Sequence, residues 1–254
     1  MTALRHDFLP EHFESLLLEN GIDGSIAVQA DQSEEETQFL LNLASKNPFI
    51  KGVVGWVNLA ANDIEERLEY WSGYEKLKGF RHIVQAEPDD NFLLNKNFCR
   101  GISCLERFGF TYDILVFPRH LPNVVSFVEM FPGQPFVIDH LAKPAIKKGE
   151  IEQWAKQLKR LAENPKVYCK LSGLVTEGDL HNWKSDDFRP YIDMAIECFG
   201  TERLMFGSDW PVCLLGASYG EAYMIVEENT SHLTNLEKDR LWGLNAKEFY
   251  NLQA

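Results

Sequence analysis

Leu204-Met205-Phe206-Gly207-Ser208-Asp209-Trp210-Pro211 reads as an apolar strand that ends on a carboxylate and is stopped by a proline two residues later. Aspartate is a poor strand residue, and an unpaired carboxylate beside a packed core is costly. The placement fits chemistry at the mouth of a parallel barrel, where residues at the C-terminal ends of strands converge. Two further stretches share the pattern: Pro135-Phe136-Val137-Ile138-Asp139-His140 and Gly79-Phe80-Arg81-His82.

Outward from these, strands are expected at Ser25–Ala30, Gly52–Leu59, Phe80–Gln85, Thr111–Val116, Pro135–His140, Val167–Ser172 and Leu204–Asp209. Their starts lie 24 to 37 residues apart, the size of a repeated βα unit. Runs such as Val53-Val54-Gly55-Trp56-Val57 are nearly all apolar, which indicates burial on both faces, as in a parallel sheet. Helical patterns fill the gaps. Glu11–Asn20 carries Phe13, Leu16 and Leu17 on one face and stops at Gly21. Ser33 caps a helix opened by Glu34, Glu35 and Glu36. Glu150–Glu163 places Ile151, Trp154, Leu158 and Leu161 at helical spacing, and Leu236–Leu252 predicts a terminal helix sealing the bottom or side of the barrel.

The expected fold is therefore α/β, a TIM-like (β/α)8 barrel in one domain over residues 1–254, with the first strand missing or truncated. Seven strands leave two parallel edges unpaired. Either the biological chain starts upstream of Met1 or an irregular N-terminal segment covers the gap.

Lys and Arg number 25 against 38 Asp and Glu, for a net charge of −13. No basic cluster is present, which argues against nucleic acid as a partner. No apolar run approaches a membrane span, and the first residues lack a signal-peptide core. Five cysteines, odd in number and without a C-x-x-C pair, read as reduced thiols of a cytoplasmic protein.

At the strand ends, Asp209 shares a face with Met205 and the small Gly207. Only one of Asp139 and His140 can face the lumen by strand alternation. His140 is the expected one, with Asp139 in support. Arg81 and His82 pose the same choice, which the sequence leaves open. Gln29, Trp56, Asn58, Lys170, Lys143, Arg119, His120 and Trp210 complete the polar and aromatic set. A carboxylate base with imidazole and cationic groups suits attack of water on a carbonyl carbon. The structural alternatives are a turn cap for Asp209, a satisfied core residue for His140, and an ion pair inside the barrel for Lys170.

Val28-Gln29-Ala30, Gly52–Val57, Gly79–His82, Asp139-His140-Leu141-Ala142-Lys143-Pro144, Cys169–Leu174, Phe206–Val212 and the ending Asn245–Tyr250 together resemble the amidohydrolase superfamily. More narrowly they are similar to its amidohydrolase-related branch, which contains L-fuconolactonase and pyrone dicarboxylate lactonase. The resemblance implies a hydrolase of carbohydrate metabolism that opens a sugar-acid lactone. By that analogy Asp209 activates water, and His140 and His82 orient or stabilise the carbonyl. Gln29, Trp56, Arg81, Lys143, Lys170 and Trp210 become substrate contacts. The implied partner is a small lactone or sugar acid, in a possible homo-oligomer. The superfamily's first strand ends in a metal-binding His-x-His, which this chain lacks. A divalent metal such as zinc would then rest on His140 and Asp209 alone unless that pair is supplied upstream, and weak or no metal binding is expected. The alternatives are a decarboxylase of an aromatic or unsaturated acid, or a truncated barrel without catalysis.

Overall fold

A computed structural model describes residues 2–253. Seven strands form one sheet in sequential order: β1 (Ser25–Val28), β2 (Ile50–Gly55), β3 (Leu77–Ile83), β4 (Thr111–Leu115), β5 (Phe136–Ile138), β6 (Val167–Leu171) and β7 (Leu204–Phe206). Every neighbouring pair is parallel. Helix α1 (Pro10–Glu19) precedes β1. The connections carry α2 (Glu34–Lys46), α3 (Ile64–Ser72), α4 (Lys96–Leu105), α5 (Leu121–Met130), α6 (Glu152–Ala162) and α7 (Ser185–Phe199), and α8 (Tyr219–Asn229) follows β7. All seven expected strands are present. Several stop short of their polar ends, so Asp139, His140 and Asp209 lie past the ladder.

Alternation along the strands creates two cores. Phe80, Tyr112, Ile114, Phe136, Ile138, Cys169, Leu171 and Leu204 pack outward under the helices. Val54, Val137 and Met205 point into the curl of the sheet, where Phe249 and Tyr250 meet them. The terminal stretch that delivers those two aromatics is helical from Asn235 to Phe249: α9 (Asn235–Asp239), a wider π turn at Arg240–Leu244, then α10 (Asn245–Phe249). It closes one end of the curl, as expected for a terminal helix.

Among the described residues no ladder joins β7 to β1. Phe13 of α1 stacks on Trp210 with ring centroids 4.6 Å apart, and also meets Phe49 and Tyr219. Phe49 accepts a hydrogen bond from Ser25 at the start of β1, and Trp210 follows β7. Helix α1 thus touches the segment after β7 and the residue that receives the first hydrogen bond of β1.

Candidate active site

Because the sheet is parallel, the polar residues that follow its strands share one rim. His140 and Asp209 both reach that rim on left-handed backbone rather than on strand. Four successive non-glycine residues, His140 to Lys143, have φ between 52° and 56°, and Asp209 has φ 54°. Each such residue costs about 1–2 kcal/mol, so the surroundings must hold the turn. Trp154 Nε1 donates to the Leu141 carbonyl at 2.6 Å, and Lys143 N donates to the His140 carbonyl at 2.7 Å. Leu141 and Ala142 are fully buried.

The turn brings His140 Nε2 to 3.6 Å from Asp209 Oδ1. On the other side of the ring, His140 Nδ1 lies 2.8 Å from Ser172 Oγ. A bare Nε2 would set its lone pair against the carboxylate, so the proton belongs on Nε2 and the Ser172 hydroxyl donates to Nδ1. Two glycines make room for this. A Cβ on Gly173 (φ 60°) would stand 2.8 Å from His140 Cβ and Cγ, and one on Gly207 would stand 2.9 Å from Ser172 Cβ. Burial holds the His140 imidazole below its ordinary pKa, against the upward pull of Asp209 and Asp139. Asp209 Oδ2 is buried and has no hydrogen-bond partner in the protein.

Of the two residues that alternation offered, the lumen takes Asp139 and not the expected His140. Asp139, next to Val137 of the inner core, points inward and is fully buried, while the left-handed turn carries His140 to the rim. Asp139 Oδ2 accepts from Arg81 Nη1 at 2.8 Å, and Lys170 Nζ stands 2.7 Å from Asp139 Oδ1 and 2.6 Å from Asp113 Oδ2. Tyr250 Oη also donates to Asp113 Oδ2, at 2.7 Å. Two carboxylates and two cations thus balance inside the curl. Burial alone would raise Asp139 and lower Lys170. The opposite charges prevail, so Asp139 lies well below and Lys170 well above its usual range. Asp113 lies above its usual range, burial outweighing Lys170.

Several expected substrate contacts are therefore engaged by the protein itself. Lys170 is held by two carboxylates. Arg81 serves Asp139 and donates through Nη2 to the Gln29 carbonyl. Gln29 is fully buried, its Nε2 donating to the Arg81 carbonyl at 2.9 Å. Lys143 pairs with Glu177 at 2.9 Å. Trp210 is packed against Phe13 and Phe8. Arg119 and the buried His120 both bind Asp90.

His82 departs furthest from its expected role. Its Nδ1 accepts the Trp56 indole N–H at 3.2 Å, which leaves the proton on Nε2 to donate to Glu87 Oε1 at 2.7 Å. Neither nitrogen is left for a carbonyl. Glu87, Asp113 and Ser172 escaped the sequence reading as site residues. Of these, only Asp113, a carboxylate in the middle of an apolar strand, carried a signal.

The amidohydrolase family model matches residues 2–252. An L-fucono-1,5-lactonase of Burkholderia multivorans is 42% identical, covering 99% of this chain and 88% of that protein. A second L-fucono-1,5-lactonase, from Burkholderia ambifaria, is 35% identical over the same shares. The chain belongs to the amidohydrolase family. A solved amidohydrolase of Burkholderia multivorans with bound zinc superposes at a TM-score of 0.96, with 41% identity, covering 100% of this chain and 92% of that one.

This member of the amidohydrolases is a hydrolase by that relationship. Its described residues hold no group of three His, Cys, Asp or Glu side chains placed for a metal. His140 Nε2 and the Asp209 carboxylate present two donor side chains, with Asp209 Oδ2 still unpartnered. A catalytic zinc keeps about three protein ligands and a water, so these residues alone do not complete such a shell. What they do offer is a carboxylate acceptor beside an imidazole N–H donor at one rim.

Proposed function

We propose that this chain hydrolyses an uncharged 1,5-lactone of a sugar acid. The reading is carried by one observation: the Asp209 carboxylate sets Oδ1 3.6 Å from His140 Nε2 and leaves its other oxygen, Oδ2, without a partner. A water held by the Asp209 carboxylate attacks the lactone carbonyl carbon while its proton passes to that carboxylate. The carbonyl oxygen, becoming an oxyanion, accepts the hydrogen bond from His140 Nε2. As the tetrahedral adduct collapses, the ring C–O bond breaks and the leaving alkoxide takes the proton from Asp209. The product is the open hydroxy acid, and Asp209 returns ionised.

Similarity to two L-fucono-1,5-lactonases directs the choice of ring. The charge balance directs the choice of substituents. Arg81, Lys143 and Lys170 each face a carboxylate of the protein, and the chain carries a net charge of −13. A substrate bearing its own carboxylate would find those cations already neutralised. A lactone decorated with hydroxyls and methyl groups meets no such conflict.

No helix among the described residues is long and apolar enough to cross a membrane, and the five cysteines stand free. Free thiols are at home in a reducing compartment, which supports a cytoplasmic enzyme. The test is a panel of aldono-1,5- and 1,4-lactones followed with a pH indicator. Acid release from uncharged 1,5-lactones is expected. A panel with no turnover rejects the reading.

A further inference from the structure

We infer that His82 is a positioning residue which holds the Trp56 indole as one wall of the substrate site, and that it does not itself touch the reacting carbonyl. The inference rests on the lactonase reading for its substrate, and on geometry for its mechanism. Trp56 follows β2 at the same rim as Asp209 and is only partly buried. Its backbone is clamped on both sides by the fully buried Thr37: Trp56 N donates to Thr37 Oγ1 at 2.8 Å, and Thr37 Oγ1 donates to the Trp56 carbonyl at 2.8 Å. Gly55 permits this, since a Cβ there would stand 2.5 Å from the Thr37 methyl group.

The indole is fixed by a second clamp. The β3-to-α4 connection folds back after Val84–Ala86 and places Glu87 under His82, which fixes the tautomer that offers a bare Nδ1 to the indole N–H. Phe92 stacks on the imidazole at 4.4 Å, and Phe98 meets it edge-on at 5.9 Å. Two links, Glu87 to His82 and His82 to Trp56, thus hold a large apolar face still at the rim. Such a face suits the C–H side of a six-membered sugar lactone. A rigid wall loses less freedom on binding than a mobile one, so its loss falls on affinity for the lactone.

The test compares wild type, His82→Phe and His82→Asn on the 1,5-lactone that the wild type turns over. Phenylalanine keeps the ring stack and removes the acceptor, whereas the Asn carbonyl replaces the acceptor near the Nδ1 position. The expected result for His82→Phe is KM raised about five- to tenfold with kcat within about twofold. His82→Asn should return KM to within about twofold of wild type. Labelled-indole NMR, with the Trp56 signal assigned by its absence from Trp56→Phe, should show that N–H protected from exchange in wild type and His82→Asn but not in His82→Phe. An unchanged KM in His82→Phe, a kcat loss of about a hundredfold with KM intact, or no rescue by His82→Asn overturns the inference. If His82→Phe does not fold, a wild-type Trp56 N–H that exchanges like an exposed indole overturns it, and a protected one supports it. Failure of the wild type on every lactone removes the lactonase reading, while the indole measurement still decides whether the clamp exists.

Discussion

His140 Nε2 stands 3.6 Å from Asp209 Oδ1 although neither residue belongs to a strand, each being carried to the rim by left-handed backbone. The orientation of the imidazole within that pair depends on the Ser172 hydroxyl at Nδ1. Ser172→Ala removes the donor that keeps the proton on Nε2. We expect kcat to fall about tenfold with little change in KM. Steady-state kinetics check this, and an unaltered kcat contradicts it.

Gly173 faces the same ring with φ 60° and no space for a Cβ. Gly173→Ala combines backbone strain with a contact against His140 Cβ and Cγ. A stability loss of about 1–3 kcal/mol is expected, with lower turnover. Denaturant unfolding together with kinetics measures both. A variant as stable and as active as wild type would show that the ring does not lie where the geometry puts it.

His82, His120 and His140 are all held below their ordinary pKa, chiefly by burial. Between the ordinary histidine value near 6.5 and those lowered values, the unfolded chain binds protons that the folded protein does not. Stability therefore rises with pH through that window and is lost as pH falls below about 6.5, with a limiting slope of about 1.4 kcal/mol per pH unit for each such histidine. Asp139, kept ionised by Lys170 and Arg81, contributes no change there, while Asp113, raised by burial, acts in the opposite sense to the three histidines wherever it titrates. Unfolding free energies from pH 7.5 to about 5.5 test the sign. Stability that grows on acidification, or a profile unchanged when the buried His120 is replaced in His120→Gln, contradicts it.

The paired state of Arg81, Lys143 and Lys170 sets substrate charge. For two lactones of the same ring size, one bearing a carboxylate and one not, the uncharged compound should show kcat/KM at least about a hundredfold higher. Comparable values would mean that one of these cations leaves its carboxylate when substrate binds.

The sheet was legible because buried parallel strands are nearly all apolar and recur at βα spacing. Val137, Ile138, Val53 and Val54 leave little choice of structure. The convergence of His140 and Asp209 was legible as polar strand ends. The route by which His140 arrives was not, because no glycine marks the left-handed run from His140 to Lys143. His140 was therefore expected in the lumen, where alternation from Val137 in fact places Asp139. The roles of Lys170 and Arg81 turn on partners distant in the chain, Asp113 and Asp139. Local sequence does not state such pairings. Glu87 lies only five residues from His82, yet its role depends on a short 3-10 turn that brings the chain back.

The proposed role of Asp209, to take the proton from the attacking water, is tested most directly by kcat of Asp209→Asn on a lactone that the wild type hydrolyses. The amide keeps the shape and removes the base. The prediction is a fall of about a thousandfold or more with the thermal midpoint unchanged. Turnover within about tenfold of wild type, in a folded Asp209→Asn protein, would contradict the mechanism.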